Sequence, residues 1–293
     1  MTSSQPGILP PIPPLSRYME FRLAPDQGAT SALGSLAEHQ IGDELVIGLG
    51  PGLVQGLGHA IEGLASFPSL SGPGCEVPST QADLWAWIRG EDRGQILHRG
   101  RTIAGILGPA LRCERRVDGF RYGSGLDLSG YEDGTENPVG EAAVAAAIVD
   151  STGDGLDGGS FVAVQQWAHD LDHFDSLPPA VRDNIIGRRA SDNEELDDAP
   201  ASAHVKRTAQ ESFDPEAFLL RRSMPWADAS GEGLMFVAFG CTLYAFDAQM
   251  RRMVGQEDGV VDGLFRFSRP ISGSYFWCPP VRDGKLDLGA LDL

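Results

Sequence analysis

The stretch DLWAWIRGEDRGQILHRGRTIAGILGP, residues 83–109, changes its hydrophobic period midway. Leu84, Ala86 and Ile88 alternate with Trp85 and Trp87, the two-residue repeat of a strand, so one face of that strand is aromatic. From Glu91 onward Ile96, Leu97, Ile103, Ala104 and Leu107 fall on one helical stripe, acidic residues lead it, and Gly108-Pro109 stops it. Toward the amino terminus the pattern predicts an extended run at 18–23, a helix at 30–38 and a strand at 44–49, and beyond the quoted stretch a last strand at 111–122. The order is β-α-β-β-α-β.

The second half repeats that order around a long insertion. FVAVQQW (161–167), AFLLRRSM (217–224) and GLMFVAF (233–239) read as strands. Leu243, Phe246, Met250, Met253 and Val254 then form a helical stripe ended by Gly255, and GSYFWC (273–278) is the closing strand. Two copies of one α+β unit follow, 1–145 and 146–293, joined where an Ala-rich helix, EAAVAAAIVD, runs into STGDGLDGG. Asp150, Thr152, Asp154 and Gly155 imitate the opening of a calcium loop, but Phe161 stands where the bidentate Glu is needed, so the joint reads as a connector.

The chain has 293 residues, 42% hydrophobic, and carries a formal charge of −18. That length buries one large core or two ordinary ones. The negative charge repels phosphate backbones and anionic lipid surfaces, which argues against nucleic acid and membrane as partners. No run of about 18 apolar residues spans a bilayer, the proline-rich start lacks the pattern of a secretory signal, and the expected location is the cytoplasm. Cys75, Cys113, Cys241 and Cys278 have no metal or dithiol spacing and read as reduced core residues.

Three segments offer chemistry. GYEDGTENP, residues 130–138, holds acids and glycines with almost nothing to bury, which suits a solvated turn, a metal loop or a carboxylate held for reaction. SAHVKR supplies His204 and LLRRSMPW a pair of arginines. If the latter is a strand, Arg221 and Ser223 share one face and Arg222 takes the other. A base, a cation and a neutral imidazole together suggest proton transfer beside a metal or cofactor, although a lone histidine is more often packed or exposed. His169 and His173, spaced i, i+4 in HDLDHF, read as solvated surface among acids and prolines, and NEELDDAP (193–200) as a solvated loop. Trp167 and Trp226 are candidates for electron transfer, core packing being the commoner use of Trp.

The GxxDG motif Gly130-Tyr131-Glu132-Asp133-Gly134, its extension to Pro138, HVKR at His204, LRRSMP at 220–225, QPGIL at the amino terminus and DGLFRFSRPISGSYFWCPP near the carboxy terminus together resemble the dye-decolorizing peroxidase family, in its bacterial B-type branch. The resemblance covers nearly the whole chain. It implies an α+β fold of two ferredoxin-like halves with antiparallel sheets, in a dimeric α+β barrel-like arrangement, one haem b per chain in the second half, and a homo-oligomer. It implies an enzyme that uses hydrogen peroxide to oxidise dyes, phenolic compounds and similar donors. The alternative is a haem-handling protein that stores or delivers the cofactor.

By position, the resemblance makes His204 the proximal iron ligand with Asp262 as its carboxylate partner, and Asp133 and Arg221 the distal pair, with Ser223 beside them. Arg188 matches a residue that pairs with a haem propionate, and Glu136 a contributor to a manganese site or a structural loop acid. The tail LDLGALDL (286–293) resembles tags that dock peroxidases inside an encapsulin shell, against the reading that it packs on the chain's own surface.

Overall fold

The alternating tryptophan segment forms the strand Leu84–Gly90 in the computed structural model, which describes every residue except Met1, Asp26, Ser151 and Asp154. Asp154 of the calcium-loop imitation therefore lies outside the described residues. Leu84–Gly90 pairs antiparallel with Leu45–Leu49 on one edge and Leu15–Leu23 on the other, and Leu15–Leu23 pairs in turn with Leu111–Phe120. The second unit places Ser160–His169 between Ser274–Cys278 and Gly231–Gly240, and Gly231–Gly240 beside Met224–Asp228. In both units the first strand lies between the third and the fourth, and the second pairs outside the third.

The bridges Trp226↔Gly119 and Trp277↔Leu49 join the two units at both edges, so eight strands close into an antiparallel ring. Every strand of that ring sends side chains to one enclosed core, including Tyr18, Val46, Trp85, Trp87, Val117, Val164, Met224, Phe239 and Phe276. Alternation sends the intervening residues outward. On the first unit these meet the helices Thr30–Ala37 and Arg93–Leu107, and on the second they meet Tyr244–Met253. Closure removes the sheet edges that two separate units would expose.

Local chemistry explains most boundaries. Asp92 caps Arg93–Leu107 by accepting from the Gln95 amide at 2.8 Å, which satisfies one of the first-turn N–H groups. That helix buries Ile96, Gly100, Ile103 and Leu107, whereas Leu97, expected on the stripe, is 43% exposed. Gly100 occupies the inward face because a Cβ there would come within 3.2 Å of Met19 Sδ. The expected strand at 217–224 begins only at Leu220 and is scored in two pieces, Leu220–Arg221 and Met224–Asp228. Both keep one register against Gly231–Gly240, because Arg221 pairs with Ala238, Met224 with Met235, and the Arg222 amide donates to Val237 O.

The tail docks on the protein's own body. Leu286, Leu288 and Leu291 are buried in the first unit's outer core, and Lys285–Leu286 pairs with Val281–Arg282. The four cysteines are free, and among the described residues no helix is long and apolar enough to cross a membrane. The insertion between Ser160–His169 and Leu220 supplies the helices Leu171–Ser176, Pro179–Ile186 and His204–Arg207. Long connections of this kind commonly carry function.

Candidate active site

His204 opens the short helix His204–Arg207. The helix is fixed from two directions. Arg207 forks onto Asp258 at 2.7 and 2.8 Å and donates to Arg252 O at 2.7 Å, while the neighbouring helix Pro179–Ile186 ends at Gly187. Gly187 has φ +95°, and a Cβ there would stand 2.3 Å from Val205 Cγ2, so only glycine lets the two helices approach.

Behind the imidazole, Asp262 is 1% exposed. Its Oδ1 accepts from the Leu264 amide at 2.8 Å and its Oδ2 lies 2.8 Å from His204 Nδ1. With the carboxylate accepting, Nδ1 carries the hydrogen and Nε2 presents its lone pair for a metal, the arrangement in which a carboxylate orients a ligating histidine and makes it more basic.

The loop bearing Asp133 is tied down through nearly every side chain around it. Asp127 accepts from the Ser129 amide and hydroxyl at 2.8 and 2.5 Å and meets His169 Nε2 at 3.1 Å. Tyr131 donates to Asp183 at 2.6 Å, Asn193 donates to Glu132 and Thr135, and Glu136 accepts from Arg188 at 2.6 Å. Gly130 and Gly134 have φ +87° and +79°, so the sharp turns expected of this motif are present and require glycine. Among the described residues, neither the Asp133 carboxylate nor the Arg221 guanidinium has a hydrogen-bond or ion-pair partner.

Asp133, His204 and Arg221 converge on one cavity of about 850 Å³, walled largely by apolar side chains that include Trp167, Phe236, Phe246, Met250 and Leu264. That lining suits a mostly apolar ligand held by few polar groups. A second, more polar space of about 760 Å³ adjoins it, shares the same three residues, and adds Glu136, Arg188 and Glu195. An apolar chamber, an imidazole with Nε2 free, and an arginine at a polar mouth suited to a carboxylate are together the donor set a haem requires.

The expected site residues thus divide. Asp133, Arg221 and His204 share the chamber, and Asp262 backs His204. Arg188 and Glu136 line the adjoining space but bind each other, with Glu195 as a second partner of Arg188 at 3.2 Å. The Arg222 side chain takes the face opposite to that of Arg221, as strand alternation requires, and donates to the Ile8, Leu9 and Arg221 carbonyls. Ser223 shares the Arg221 face but lines neither space, and its Oγ is buried without a partner among the described residues.

His169 corrects the expectation of a solvated histidine. Its side chain is 5% exposed, lines the chamber, and lies between Asp127 and Ser268 Oγ, the latter at 2.7 Å from Nδ1. Burial pushes the Asp127 carboxyl up, but the bonds from His169 and Ser129 outweigh it and hold the group below the usual range. His173 is exposed, as expected. Trp226 Nε1 donates to Trp167 O at 2.9 Å, so the ring core touches the residue that walls the chamber.

Comparison with known proteins agrees with this geometry. The sequence matches the family model "Dyp-type peroxidase, C-terminal" over residues 125–283. It is 32% identical over 224 residues to the dye-decolorizing peroxidase of Mycobacterium tuberculosis, covering 74% of this chain and 67% of that protein. It is 30% identical over 254 residues to that of Mycolicibacterium paratuberculosis, covering 78% and 72%. A dye-decolorizing protein from V. cholerae superposes with a TM-score of 0.85 at 28% identity over 94% of this chain and 97% of that one. A DypB variant from Rhodococcus jostii RHA1 in complex with heme gives 0.85 at 26% identity over 93% and 94%. The chain belongs to the Dyp-type peroxidase family and is a haem-dependent peroxidase.

Proposed function

We propose that His204 holds the haem iron and that Asp133 and Arg221 handle hydrogen peroxide, with dyes, phenolic compounds or similar molecules as electron donors. One observation carries this reading: two opposite charges without partners among the described residues face the chamber of an imidazole whose other nitrogen is occupied. A protein that only stored or delivered haem needs His204 and apolar walls, not an unpaired carboxylate and an unpaired guanidinium.

Haem, when bound, supplies the redox chemistry that reduces the O–O bond and then accepts electrons from donors one at a time. The chain supplies the protons and the field. Asp133 takes the proton from one peroxide oxygen and returns it to the other, so that the second leaves as water. The Arg221 guanidinium orients peroxide and stabilises charge on the departing oxygen. Asp262 keeps His204 in the tautomer that coordinates. Arg188 is read as the partner of a cofactor carboxylate, which would take the place of Glu136. Glu136, 65% exposed, is then free to act as the surface acid expected near a manganese ion.

The two four-stranded units, 1–145 and 146–293, are read as ferredoxin-like halves, and their matching strand orders support this. The Asp133 loop belongs to the first half in sequence yet bonds to residues of the second. An encapsulin shell as partner would require residues 286–293 to leave the body on which Leu286, Leu288 and Leu291 are buried.

Stopped-flow absorption after one equivalent of hydrogen peroxide tests the site. Asp133→Asn keeps the shape and removes the base, and it is expected to slow the peroxide step by roughly 10²–10⁴-fold. An unchanged rate would remove Asp133 from the mechanism.

A further inference from the structure

Arg221 lies on a short strand whose main-chain groups alternate between two sides. Arg222 donates to Val237 O across the sheet, so the N–H and C=O of Arg221 face the opposite, unpaired edge. Among the described residues, no strand covers that edge. Instead the Asn137 side chain occupies it: Oδ1 accepts from Arg221 N at 2.8 Å and Nδ2 donates to Arg221 O at 3.0 Å. A single primary amide thereby reproduces the two-bond exchange of an antiparallel bridge.

Gln210 makes a bridge two positions back along the chain, at Leu219. Its Oε1 accepts from the Leu219 amide at 3.0 Å, and its Nε2 donates to Glu136 O at 2.9 Å. Residues 219 and 221 are thus sewn to residues 136 and 137 by side chains alone.

The other end of the clamp bears on Asp133. The Asn137 amide N–H donates to Gly134 O at 3.0 Å, closing the turn Gly134–Asn137 that directly follows Asp133. The Asn137 side chain also packs so near Gly134 that a Cβ there would come within 2.7 Å of its Nδ2. The second glycine of the motif therefore has a physical reason beyond its φ of +79°. It makes room for the amide that reaches Arg221.

We propose that Asn137 is a positioning residue that fixes the separation of the Asp133 and Arg221 side chains by tying the Arg221 backbone to the turn that follows Asp133, with Gln210 as the second rung of the same clamp. This rests on the reading of Asp133 and Arg221 as the peroxide-handling pair. Neither side chain is consumed in the clamp, so both stay available to peroxide. An alternative solution, a direct carboxylate–guanidinium bond, would fix the pair but neutralise it.

The test uses haem-loaded full-length protein carrying Asn137→Ala, Asn137→Ser and Gln210→Ala. Amide hydrogen exchange reads the clamp itself: in Asn137→Ala the Arg221 amide should exchange at least about tenfold faster, while the Arg222 amide, held by Val237 O, stays within about twofold. Stopped-flow mixing with hydrogen peroxide should show the bimolecular rate falling roughly 10- to 100-fold, the scale expected when a reacting group shifts by about 1 Å. Haem retention and the rate of donor oxidation after the peroxide step should stay within about twofold of wild type. Asn137→Ser, which keeps one of the two bonds at a time, should fall between, and it serves if the alanine variant does not fold. Gln210→Ala should free the Leu219 amide and leave that of Arg221 protected.

Faster Arg221 exchange with an unchanged peroxide rate would overturn the positioning role. So would a slower peroxide rate with unchanged exchange. If instead Asp133→Asn leaves the peroxide step intact while Asn137→Ala still frees the Arg221 amide, the fault lies in the reading of the pair and not in the clamp.

Discussion

Asp262→Asn is the sharpest perturbation of haem binding because it exchanges one oxygen for an NH₂ in a buried group. In the native protein Oδ1 is committed to the Leu264 amide and Oδ2 to His204 Nδ1, each at 2.8 Å. An asparagine satisfies the first bond with its oxygen and must then point its NH₂ at Nδ1. Two donors cannot share that contact, so the imidazole changes tautomer, places its hydrogen on Nε2, and withdraws the lone pair that a metal needs. A hydrogen bond to a charged group contributes about 1.5–3 kcal/mol, which corresponds to roughly 10- to 100-fold in affinity at about 1.4 kcal/mol per decade. The same range is typical when the outer partner of a ligating histidine is removed. The assay is titration of the haem-free protein with haem, followed by absorption, with circular dichroism to confirm that the fold persists. Haem affinity within about twofold of wild type in a folded Asp262→Asn protein would refute the argument that this carboxylate sets the tautomer of His204.

Three further outcomes follow from the structure. The Asp258 carboxyl, bonded first by the Arg207 guanidinium and then by the Val260 amide, is held down to about 2 from the ordinary 3.8. A depressed carboxyl stabilises the folded state above its unfolded pKa and loses that contribution as pH falls toward the folded one, so Asp258→Asn should flatten the loss of thermal stability between about pH 4 and pH 2. An acid profile identical to wild type would oppose the idea that Arg207 anchors the His204 helix. Gly134→Ala forces an L side chain into φ +79° and against Asn137. It should cost at least about 1–2 kcal/mol in chemical denaturation and slow the peroxide step, and a neutral effect on both would contradict the turn described. Deleting residues 286–293 exposes the pockets of Leu286, Leu288 and Leu291, worth about 1.5–3 kcal/mol each, so the melting temperature should fall; no change would favour a detachable tail and the shell-docking reading.

The period change within residues 83–109 made the first unit readable, since a strand buried on both faces still alternates aromatic against aliphatic when the two faces meet different cores. Alternation likewise separated Arg221 from Arg222, and the structure keeps that separation because 220–228 hold one register. Ring closure was not readable. It depends on Trp226 meeting Gly119 and Trp277 meeting Leu49, single bridges between strands more than 100 residues apart, and no local pattern records such a pairing. His169 was misread for a related reason: acids and a nearby proline pair dominate its own segment, while Asp127, which binds it, lies 42 residues upstream. Ser223 followed from the face it shares with Arg221, but a shared face does not ensure a shared cavity. The residues alone left the Asp133 loop open between turn, metal loop and catalytic acid. Only the family resemblance ordered Asp133, His204 and Arg221 into one site, and the cavity then gathered them.

The loop and the arginine present one problem with two requirements that pull apart. A carboxylate and a guanidinium must stand near each other to act on one peroxide, and side chains of opposite charge so placed bind each other unless something else fixes them. The structure meets both requirements by holding main chains instead of charges. Asp133 is placed by the bonds of Asp127, Tyr131, Glu132, Thr135, Glu136 and Asn137, and Arg221 by its strand register on one side and Asn137 on the other. Both reactive side chains remain partly exposed, so water solvates them at rest and the cost of leaving them unpaired stays small. A ligand that fills the chamber would displace that water, and the field of the two groups would then fall on whatever sits between them.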